Sequence, residues 1–508
     1  MVERPVPPLP AKETQREVRG TWIGKQERPR GWPLSCWRAG VALTGGTGPA
    51  SAAGPAGAAP GLVSWGANGD GQLGTGDSRT GTLPRPVTGT HPAFVQAATG
   101  SDHSLDVADD GTVWAWGENA DGQLGDGTEQ PRPTPVRVVG LTGVKQVAAG
   151  VDYSLALRKD GTVWAWGDNR NGRLGDGTTE DRRLPVPVAG LTAVTRIAAG
   201  EAHSLALRGG ELWAWGRNDF GQVGDGTFSD APRPVRVRRL PLGVTDVAGG
   251  TDFSIASSAD GSVWTWGGNY AGQLGNGGTG TRPVPGLIAG LAGITQVAAG
   301  NAHAFALDDQ GFLWAWGHNG GGELGVGDYL VHRRPTWVLT SETLAIVASA
   351  GGGYATRSDG AVLTWGSDSR TYADGATTGR NRPSTAPALT LATVMSSASA
   401  RHGLALGVPK LYPYVYVDIT PRSVTTPVGH SGYAVAQIVP ANGATGEVTL
   451  VVSDSLPSGT VVIEPTAWFG TFRITVTPTA PTDHDAVRIR GSGPGMPLVY
   501  ASLEVTTT

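Results

Sequence analysis

The sequence predicts an all-β protein: a seven-bladed β-propeller closed by pairing of its N- and C-terminal strands, followed by an immunoglobulin-like β-sandwich. A repeat of about fifty residues occurs seven times along the chain. Most copies hold an Asp-Gly turn between two short apolar runs, as a β-hairpin does. The 79 glycines and 36 prolines among 508 residues also favour many turns over long helices.

A Trp-Gly pair with similar flanks marks each copy of the repeat. Six copies continue with a Gly-Gln-Leu-Gly-like element, which the seventh has lost, and every period also holds a His-Ser-Leu-Ala-Leu-like strand. The near-constant spacing predicts equivalent blades of one repeat array. The tryptophans recur every 49 to 51 residues, at Trp65, Trp116, Trp166, Trp215, Trp266, Trp316 and Trp365.

The hairpin of each copy joins the Leu-Ala-Leu strand to the Trp-Gly strand, as in LALRKDGTVWAWGDN, where Asp160-Gly161 supplies the positive φ angles of a tight turn. The first Trp-Gly strand, 62–66, has no preceding partner, and the last Leu-Ala-Leu strand, 403–406, has no following one. We therefore predict that these two strands pair, which closes a ring over residues 61–407 and removes two open sheet edges.

The segments outside the ring differ in composition. Residues 1–60 are rich in glycine, alanine and proline towards their end and are predicted to be disordered. A linker at 408–413 precedes residues 414–508, where seven short alternating strands favour an immunoglobulin-like sandwich without a disulfide.

Composition and motifs exclude several functions. A net charge of -4 gives no global positive field for nucleic acid or an anionic membrane, and no apolar run is long enough to insert into a membrane. One cysteine excludes a disulfide framework and a cysteine-rich zinc site. We find no nucleophile elbow, phosphate loop or histidine-glutamate zinc motif. The sequence thus predicts a non-enzymatic protein with no cofactor, and it shows no signal peptide.

Side chains that recur in every blade are predicted to be scaffold. The tryptophans are better explained by packing between blades than by carbohydrate stacking. The slot that begins each Leu-Ala-Leu strand suits aromatic rings better than a metal, and the asparagine after each Trp-Gly suggests a turn that bonds its own backbone or accepts positive φ. The slot residues are His103, Tyr153, His203, Phe253, His303, Tyr354 and His402. The turn residues are Asn68, Asn119, Asn169, Asn218, Asn269 and Asn319, with Asp368 in the seventh copy.

The motifs Val-Trp-Ala-Trp-Gly-x-Asn, Gly-Gln-Leu-Gly-Asp-Gly-Thr and Ala-Ala-Gly-x-x-His-Ser-Leu-Ala-Leu resemble the repeat of the regulator of chromosome condensation family over about two thirds of the chain. The resemblance implies a seven-bladed propeller. The family's functions are diverse: its eukaryotic prototype is a nucleotide-exchange factor for a small GTPase and binds chromatin, while bacterial relatives include inhibitors that cap a β-lactamase. The C-terminal part, with Val417-Asp-Ile-Thr-Pro421, resembles immunoglobulin-like modules of bacterial surface and secreted proteins, which favours an extracellular or cell-surface location.

Positions that vary between blades are the candidate binding residues, because the common positions build the scaffold. The chain enters each hairpin after Gly-x-x and leaves it after Trp-Gly, so both positions share one face. Paired hairpin by hairpin, they are Asp102 with Glu118, Asp152 with Asp168, Glu201 with Arg217, Asp252 with Gly268, and Asn301 with His318. Nearby variable positions add Arg170, Phe220 and Tyr270. One sector of this face is acidic, which predicts a monomeric propeller that binds a protein with a basic surface; the alternative is an ordinary solvated loop face.

Two functions remain open. One is a binding module, displayed on a bacterial surface or secreted, with the sandwich as spacer. The other is nucleotide exchange on a small GTPase, because the family's exchange residues lie at the Gly-x-Asp-His position, which Gly100-Ser-Asp-His103 matches fully and the segments ending at Tyr153 and Phe253 match only in the acid. The uniform spacing leaves no room for the wedge loop of the prototype, and the bacterial-type tail argues against a nuclear protein, so binding is favoured.

Overall fold

The computed structural model describes residues 61–507 with internal gaps, at 339, 341, 368–372, 374–378, 387–388, 390–392, 396–399, 408–413, 421–422, 427–429, 431, 442–448, 455–458, 466–470, 479–482 and 493–498. The predicted disorder of residues 1–60 and the linker at 408–413 lie outside the described residues. Within the described ranges, no helix is long and apolar enough to cross a membrane.

Seven four-stranded antiparallel sheets, here called blades, form the propeller. The chain begins with β1 (Gly61–Gly66) and β2 (Gly81–Pro86) and then runs through six complete blades. Blade 1 consists of β3 (Phe94–Thr99), β4 (His103–Ala108), β5 (Val113–Gly117) and β6 (Arg132–Arg137). Blade 2 consists of β7 (Val144–Ala149), β8 (Tyr153–Arg158), β9 (Val163–Gly167) and β10 (Arg182–Pro187). Blade 3 consists of β11 (Val194–Ala199), β12 (His203–Arg208), β13 (Glu211–Gly216) and β14 (Ala231–Arg236).

Blades 4 to 6 repeat this order, and blade 7 combines the two ends of the ring. Blade 4 consists of β15 (Val244–Gly249), β16 (Phe253–Ser258), β17 (Val263–Gly267) and β18 (Arg282–Leu287). Blade 5 consists of β19 (Ile294–Ala299), β20 (His303–Asp308), β21 (Leu313–Gly317) and β22 (His332–Val338). Blade 6 consists of β23 (Thr343–Ser349), β24 (Gly352–Arg357), β25 (Val362–Gly366) and β26 (Arg380–Thr385). Blade 7 has the order β2-β1-β28-β27, with β27 at Thr393–Met395 and β28 at His402–Gly407.

Ring closure follows the prediction. Strand β1 pairs antiparallel with β28 over six residues, from Gly61 opposite Gly407 to Gly66 opposite His402. The two ends of the repeat array therefore share one sheet, and neither leaves an open edge beside the other.

The hairpin turns differ in detail from the prediction. In blade 2 the positive φ falls on Gly161 alone, at +80°. Asp160 instead accepts hydrogen bonds from the Thr162 amide at 2.9 Å and from its hydroxyl at 2.6 Å. This is a three-residue loop that ends on a left-handed glycine, so the aspartate acts through its carboxylate and not through its own backbone angle.

The recurring tryptophans are packing residues, as predicted. All seven are at most 1% exposed. In blades 1 to 6 each indole nitrogen donates to a carbonyl in the Gly-Gln-Leu-Gly loop of the preceding blade; Trp166, for example, bonds to the Gln123 carbonyl at 2.8 Å. The rings therefore fasten each blade to the one before it.

The slot residues also join neighbouring blades. The prediction for Tyr354 is wrong: in blade 6 Gly352 lies opposite Gly366, where the other blades place the slot residue, and Tyr354 lies two residues further along the strand. The His203 imidazole bonds to the Ser254 hydroxyl of the next blade at 2.9 Å. Phe253, which has no polar atom, faces a blade in which that serine is replaced by Ala304. The other hydrogen bonds are His103 to Ser154, Tyr153 to Ser204, His402 to Ser104, and His303 to the Gly352 carbonyl. Burial lowers the pKa of His103 and His203 to about 3, so these rings are neutral structural groups.

The loop asparagines hold the segment that follows Trp-Gly. The Asn119 side-chain oxygen accepts from the Leu124 amide at 2.9 Å, and its amide nitrogen donates to the carbonyls of Thr128 and Gln130, each at 3.0 Å. Of the two turn roles expected, these residues use hydrogen bonding, since none of Asn68, Asn119, Asn169, Asn218, Asn269 and Asn319 has a positive φ. Asp368 lies outside the described residues.

Beyond the propeller, two further four-stranded sheets are described, with orders β29-β31-β34-β33 and β30-β36-β35-β32. Seven of their eight strands fall where alternation predicted them. The eighth, β30, is a four-residue strand that pairs parallel with β36 and was missed because it is too short to show alternation. The strands are β29 (Tyr414–Thr420), β30 (Ser423–Thr426), β31 (Gly432–Ala441), β32 (Thr449–Asp454), β33 (Gly459–Pro465), β34 (Thr471–Pro478), β35 (Asp483–Ser492) and β36 (Val499–Thr507).

Candidate protein-binding face

Both open ends of each hairpin lie on one face of the ring. The amide of Glu118 donates to the Asp102 carbonyl at 2.9 Å, and the amide of Asp168 donates to the Asp152 carbonyl at the same distance. Two predicted pairings need correction, because Arg217 and His318 bond to Ala202 and Ala302, one residue beyond Glu201 and Asn301.

An acidic cluster occupies this face from blade 7 to blade 2. It contains three predicted residues, Asp102, Glu118 and Asp152, and two that sequence reasoning missed, Asp70 and Asp121. Burial, followed by repulsion from Asp152, Asp70, Asp102 and Asp121, raises the pKa of Glu118 to about 7. The carboxylates are therefore close enough to oppose one another's ionisation.

The other acids respond in the same direction. Burial, and then repulsion from Asp121 and Asp168, raises the pKa of Asp152 to about 6. Burial and Asp102 raise the pKa of Asp70, and burial and Asp168 raise that of Asp121. One neutral contact fixes the cluster, since the Gln72 amide of blade 7 donates to Asp102 at 2.8 Å.

The two missed acids have a sequence signal. Each stands directly before the Gly-Gln-Leu-Gly element, where the other copies have Asn171, Phe220, Ala271 and Gly321. Only adjacent blades 7 and 1 carry an acid there, so this position also varies between blades on the same face.

Asp168 is not an exposed member of this surface, which corrects its place among the candidate binding residues. Its side chain is fully buried, accepts a hydrogen bond from Arg170 at 2.8 Å and forms an ion pair with Arg173 at 2.8 Å. Burial opposes ionisation, but hydrogen bonds from Arg170 outweigh it and hold the pKa of Asp168 below its usual value. Asp168 thereby orients Arg170, whose side chain is 68% exposed and lies 4.0 Å from Asp152.

A second group, the mixed cluster, spans blades 3 and 4. Arg217 lies 2.8 Å from Asp219 and 3.3 Å from Asp252, and its guanidinium stands over the Phe220 ring at 5.6 Å. Asp252 is nearly buried, and burial raises its pKa to about 6 despite Arg217. Tyr270 is 57% exposed, and both Asp252 and Glu201 raise its pKa after burial. The structure thus brings five predicted residues together here.

His318 stands apart from both clusters. It lies on blade 5, half exposed, with its Nδ1 atom 3.3 Å from Glu323. His103 is fully buried and bonded to Ser154, so of the acid and the histidine in Gly-x-Asp-His only Asp102 is partly exposed.

The arrangement suits recognition of positive charge. Five carboxylates are held on a ring whose backbone is fixed by inter-blade bonds, with one exposed arginine at their border. Because two of them have pKa values near neutrality, the charge of the face changes between about pH 5 and about pH 8. Among the described residues, no group of three or more histidine, cysteine or acidic side chains has metal-binding geometry.

Short stretches of the chain are similar to known proteins. A stretch of 80 residues is 44% identical to the protein RCC2 of Mus musculus and covers 15% of each chain. A stretch of 85 residues is 34% identical to the ultraviolet-B receptor UVR8 of Arabidopsis thaliana, over 16% of this chain and 19% of the receptor. The match therefore spans under a fifth of the length of these curated relatives.

Solved structures share the propeller fold. Yeast RCC1 (Prp20), in its complex with Kap60, matches 78% of this chain and 97% of its own with a TM-score of 0.63 and 20% identity. Human WBSCR16 matches 70% of this chain and 100% of its own with a TM-score of 0.61 and 23% identity. The family model described as RCC1-like domain matches residues 26–357, which is more than half of the chain. The chain therefore belongs to the RCC1-like domain family.

Proposed function

We propose that this chain is a non-enzymatic, protein-binding propeller whose acidic cluster contacts a basic surface on a partner protein. The observation that carries this proposal is the acidic cluster itself, in which burial and neighbouring carboxylates raise the pKa of Glu118 to about 7 and that of Asp152 to about 6. Such shifts mean that the folded ring holds these carboxylates together against burial and mutual repulsion, at a cost in stability at neutral pH. Groups that oppose folding in this way are concentrated at functional sites.

A basic partner would relieve this repulsion on binding. Lysine or arginine side chains of the partner favour the charged forms of Glu118 and Asp152, so binding and ionisation support each other. The attraction is expected to accelerate association at low salt and to weaken as salt screens the exposed charges.

The test compares two triple variants that each replace three carboxyl groups by amides. Asp102→Asn, Glu118→Gln and Asp152→Asn neutralise the face, while Asp109→Asn, Glu180→Gln and Asp309→Asn neutralise exposed acids outside the acidic cluster. Core histones serve as the basic probe, because the structure of a yeast relative, Prp20p, was studied together with its binding properties to Gsp1p and histones. We expect the face variant to lose affinity by at least about tenfold, or about 1.4 kcal/mol, while the control variant binds as the unaltered protein does. Equal affinity for both variants would refute the proposal.

Nucleotide exchange on a small GTPase is the second candidate function. It is favoured by family membership and by Asp102, which reaches the face from the Gly-x-Asp-His position; the buried His103 does not support it. The assay is release of labelled nucleotide from a panel of small GTPases. Accelerated release that Asp102→Asn abolishes would favour exchange over simple binding.

We also propose that residues 414–508 form an immunoglobulin-like sandwich that acts as a spacer for a secreted or cell-surface protein. The two four-stranded sheets support this assignment. The expected outcome is a second unfolding transition that disappears on deletion of residues 414–508, together with recovery of the protein outside the cytoplasm after cell fractionation. A cytoplasmic protein would contradict the display role.

A further inference from the structure

The outer edges of neighbouring blades are joined by contacts that repeat around the ring. The loop that follows Gly-Gln-Leu-Gly in one blade lies against the outer strand of the next, with the Gly127 amide on the Arg183 carbonyl at 3.2 Å and the Gly277 amide on the Arg333 carbonyl at 2.8 Å. These bonds make Arg183 and Arg333 equivalent positions, at the seams between blades 1 and 2 and between blades 4 and 5.

At the first of these seams the chain supplies its own counter-charge. Glu129, two residues after Gly127, lies 2.5 Å from the Arg183 guanidinium. At the second seam the equivalent residue is Thr279, and the whole loop 276–281 reads Asn-Gly-Gly-Thr-Gly-Thr, without an acid. Among the described residues, Arg333 has no carboxylate partner.

The next residue, Arg334, also faces a loop without an acid. The guanidiniums of Arg233, Arg334 and Arg382 lie over Gly177, Gly277 and Gly327 of the facing loops. The loops beneath Arg233 and Arg382 contain Asp176 and Asp328, whereas the loop beneath Arg334 contains no acid. Arg333 and Arg334 are therefore adjacent arginines at one seam, and among the described residues neither has a carboxylate partner.

A third arginine next to this loop also lacks the aspartate that its equivalents have. Arg132 and Arg182 each begin an outer strand and pair at 2.8 Å with Asp126 and Asp176. Arg282 begins the outer strand of blade 4, but the aspartate position holds Asn276. In the part of the chain described here, its Nε and Nη2 atoms are buried without a hydrogen-bond partner, and burial lowers its pKa.

The seam also has the shape and the apolar border of a binding site. A cleft of about 410 Å³ is lined by Arg333, Arg334, His332, Thr336, Val331 and Gly277. The preceding residues Tyr329, Leu330 and Val331 are 53%, 69% and 47% exposed. Arginine pairs bind oxyanions through several N–H donors, and the apolar neighbours favour a polypeptide over a phosphate polymer.

We propose that the seam between blades 4 and 5 binds a carboxylate-bearing segment of a partner protein, with Arg333 and Arg334 holding an acid of the kind that Glu129 supplies at the seam between blades 1 and 2. The occupant is an acidic peptide whose apolar side chains lie on Tyr329 and Leu330. This site is distinct from the acidic cluster and has the opposite charge, so its failure leaves the proposed binding face untouched.

The experiment measures binding of a short labelled peptide that alternates Glu and Leu to the full chain. Loss of both donors in Arg333→Ala with Arg334→Ala is expected to weaken binding at least about tenfold. Thr279→Glu, which copies Glu129 and removes no arginine, is expected to weaken it similarly because the chain fills its own site. The charge-matched control, Arg137→Ala with Arg238→Ala, is expected to bind as the unaltered protein does.

Several results would overturn the proposal. Unchanged peptide affinity in the double variant, or equal losses in the control, would show that the seam is not the site. If a peptide that alternates Gln and Leu binds as tightly as the Glu-Leu peptide, the carboxylates are not what the seam recognises. Tighter binding of a single-stranded oligonucleotide than of the peptide would mean that the arginines serve phosphates. Thermal unfolding of each variant separates these outcomes from loss of the fold.

Discussion

Asp106 offers a sharp test of how the blades pack. Its neighbours along β4, Ser104 and Ala108, face blade 7, where Ser104 donates to the Gln72 carbonyl and Ala108 packs with Leu62 and Leu404. Asp106 therefore lies in the seam between blades 7 and 1. The equivalent residue is alanine in every other blade: Ala156, Ala206, Ala256, Ala306, Ala355 and Ala405.

The Asp106 side chain is fully buried, and neither carboxyl oxygen has a hydrogen-bond partner among the described residues. Burial raises its pKa well above 3.8, although the nearby amides of Val107 and Gln96 oppose the shift. A buried polar group left unpaired costs about 1–3 kcal/mol. Asp106→Ala removes this cost and leaves a cavity the size of a carboxyl group, which costs at most about 1 kcal/mol. We therefore expect the variant to be more stable than the unaltered protein.

The pH dependence gives this prediction its sign. Because the folded pKa is raised, folded Asp106 keeps its proton where the unfolded chain has released it. Stability of the unaltered protein then falls as pH rises above about 3.9, by about 1.4 kcal/mol per pH unit until the folded pKa is reached. The advantage of Asp106→Ala grows over the same window.

The assay is urea unfolding of both proteins, followed by tryptophan fluorescence from about pH 4.5 to about pH 8. Asp106→Asn is the control, because it removes the ionisable group but keeps an unpaired polar one. Its free energy of unfolding should no longer change with pH through this site, and it should stay lower than that of Asp106→Ala because the buried amide is unpaired. Parallel pH curves of equal stability for the unaltered protein and Asp106→Ala would refute the reasoning.

Three further predictions follow from the same structure. Binding of a basic probe should weaken as pH falls from about 8 to about 5, because Glu118 and Asp152 take up protons near pH 7 and 6; Glu118→Gln should remove the upper part of the titration, and a pH-independent affinity would contradict the cluster. The double variant His203→Phe with Ser254→Ala copies the pair Phe253 and Ala304. It should recover most of the stability lost by His203→Phe alone, because that single variant leaves the buried Ser254 without its imidazole partner. Additive losses in a double-mutant cycle would contradict the coupling of His203 to Ser254 across the blades. Deletion of Gly61–Gly66 should lower the midpoint of the whole propeller transition, since β1 pairs with β28; a melt that loses only one blade would contradict ring closure.

The repeat made the propeller predictable, since tryptophans, glycines and slot residues act within one period or between neighbouring periods. A Cβ on Gly150, for example, would collide with the Tyr153 ring three residues later, so the motif itself records the contact. Ring closure was predictable for the same reason, because each terminal strand lacked its partner in the pattern.

The site was less predictable because its contacts join different loops. Asp168 looked exposed in its own hairpin, but it is buried beside Arg173, which replaces the glutamine of Gly-Gln-Leu-Gly in that blade. Asp70 and Asp121 were missed because they adjoin a scaffold glycine and join the cluster only through the spatial neighbourhood of Glu118. Charge substitutions within a conserved-looking motif of the repeat were therefore the informative signal at both places.

Carboxyl footprinting of the propeller with and without a bound basic protein tests the proposed face most directly. Carbodiimide labelling, read by mass spectrometry, reports the accessibility of each carboxylate. We predict that the bound probe protects Asp102, Glu118 and Asp152 and leaves Asp109 and Glu180 labelled as before. Protection of Asp109 and Glu180 with unchanged labelling of the acidic cluster would contradict the account.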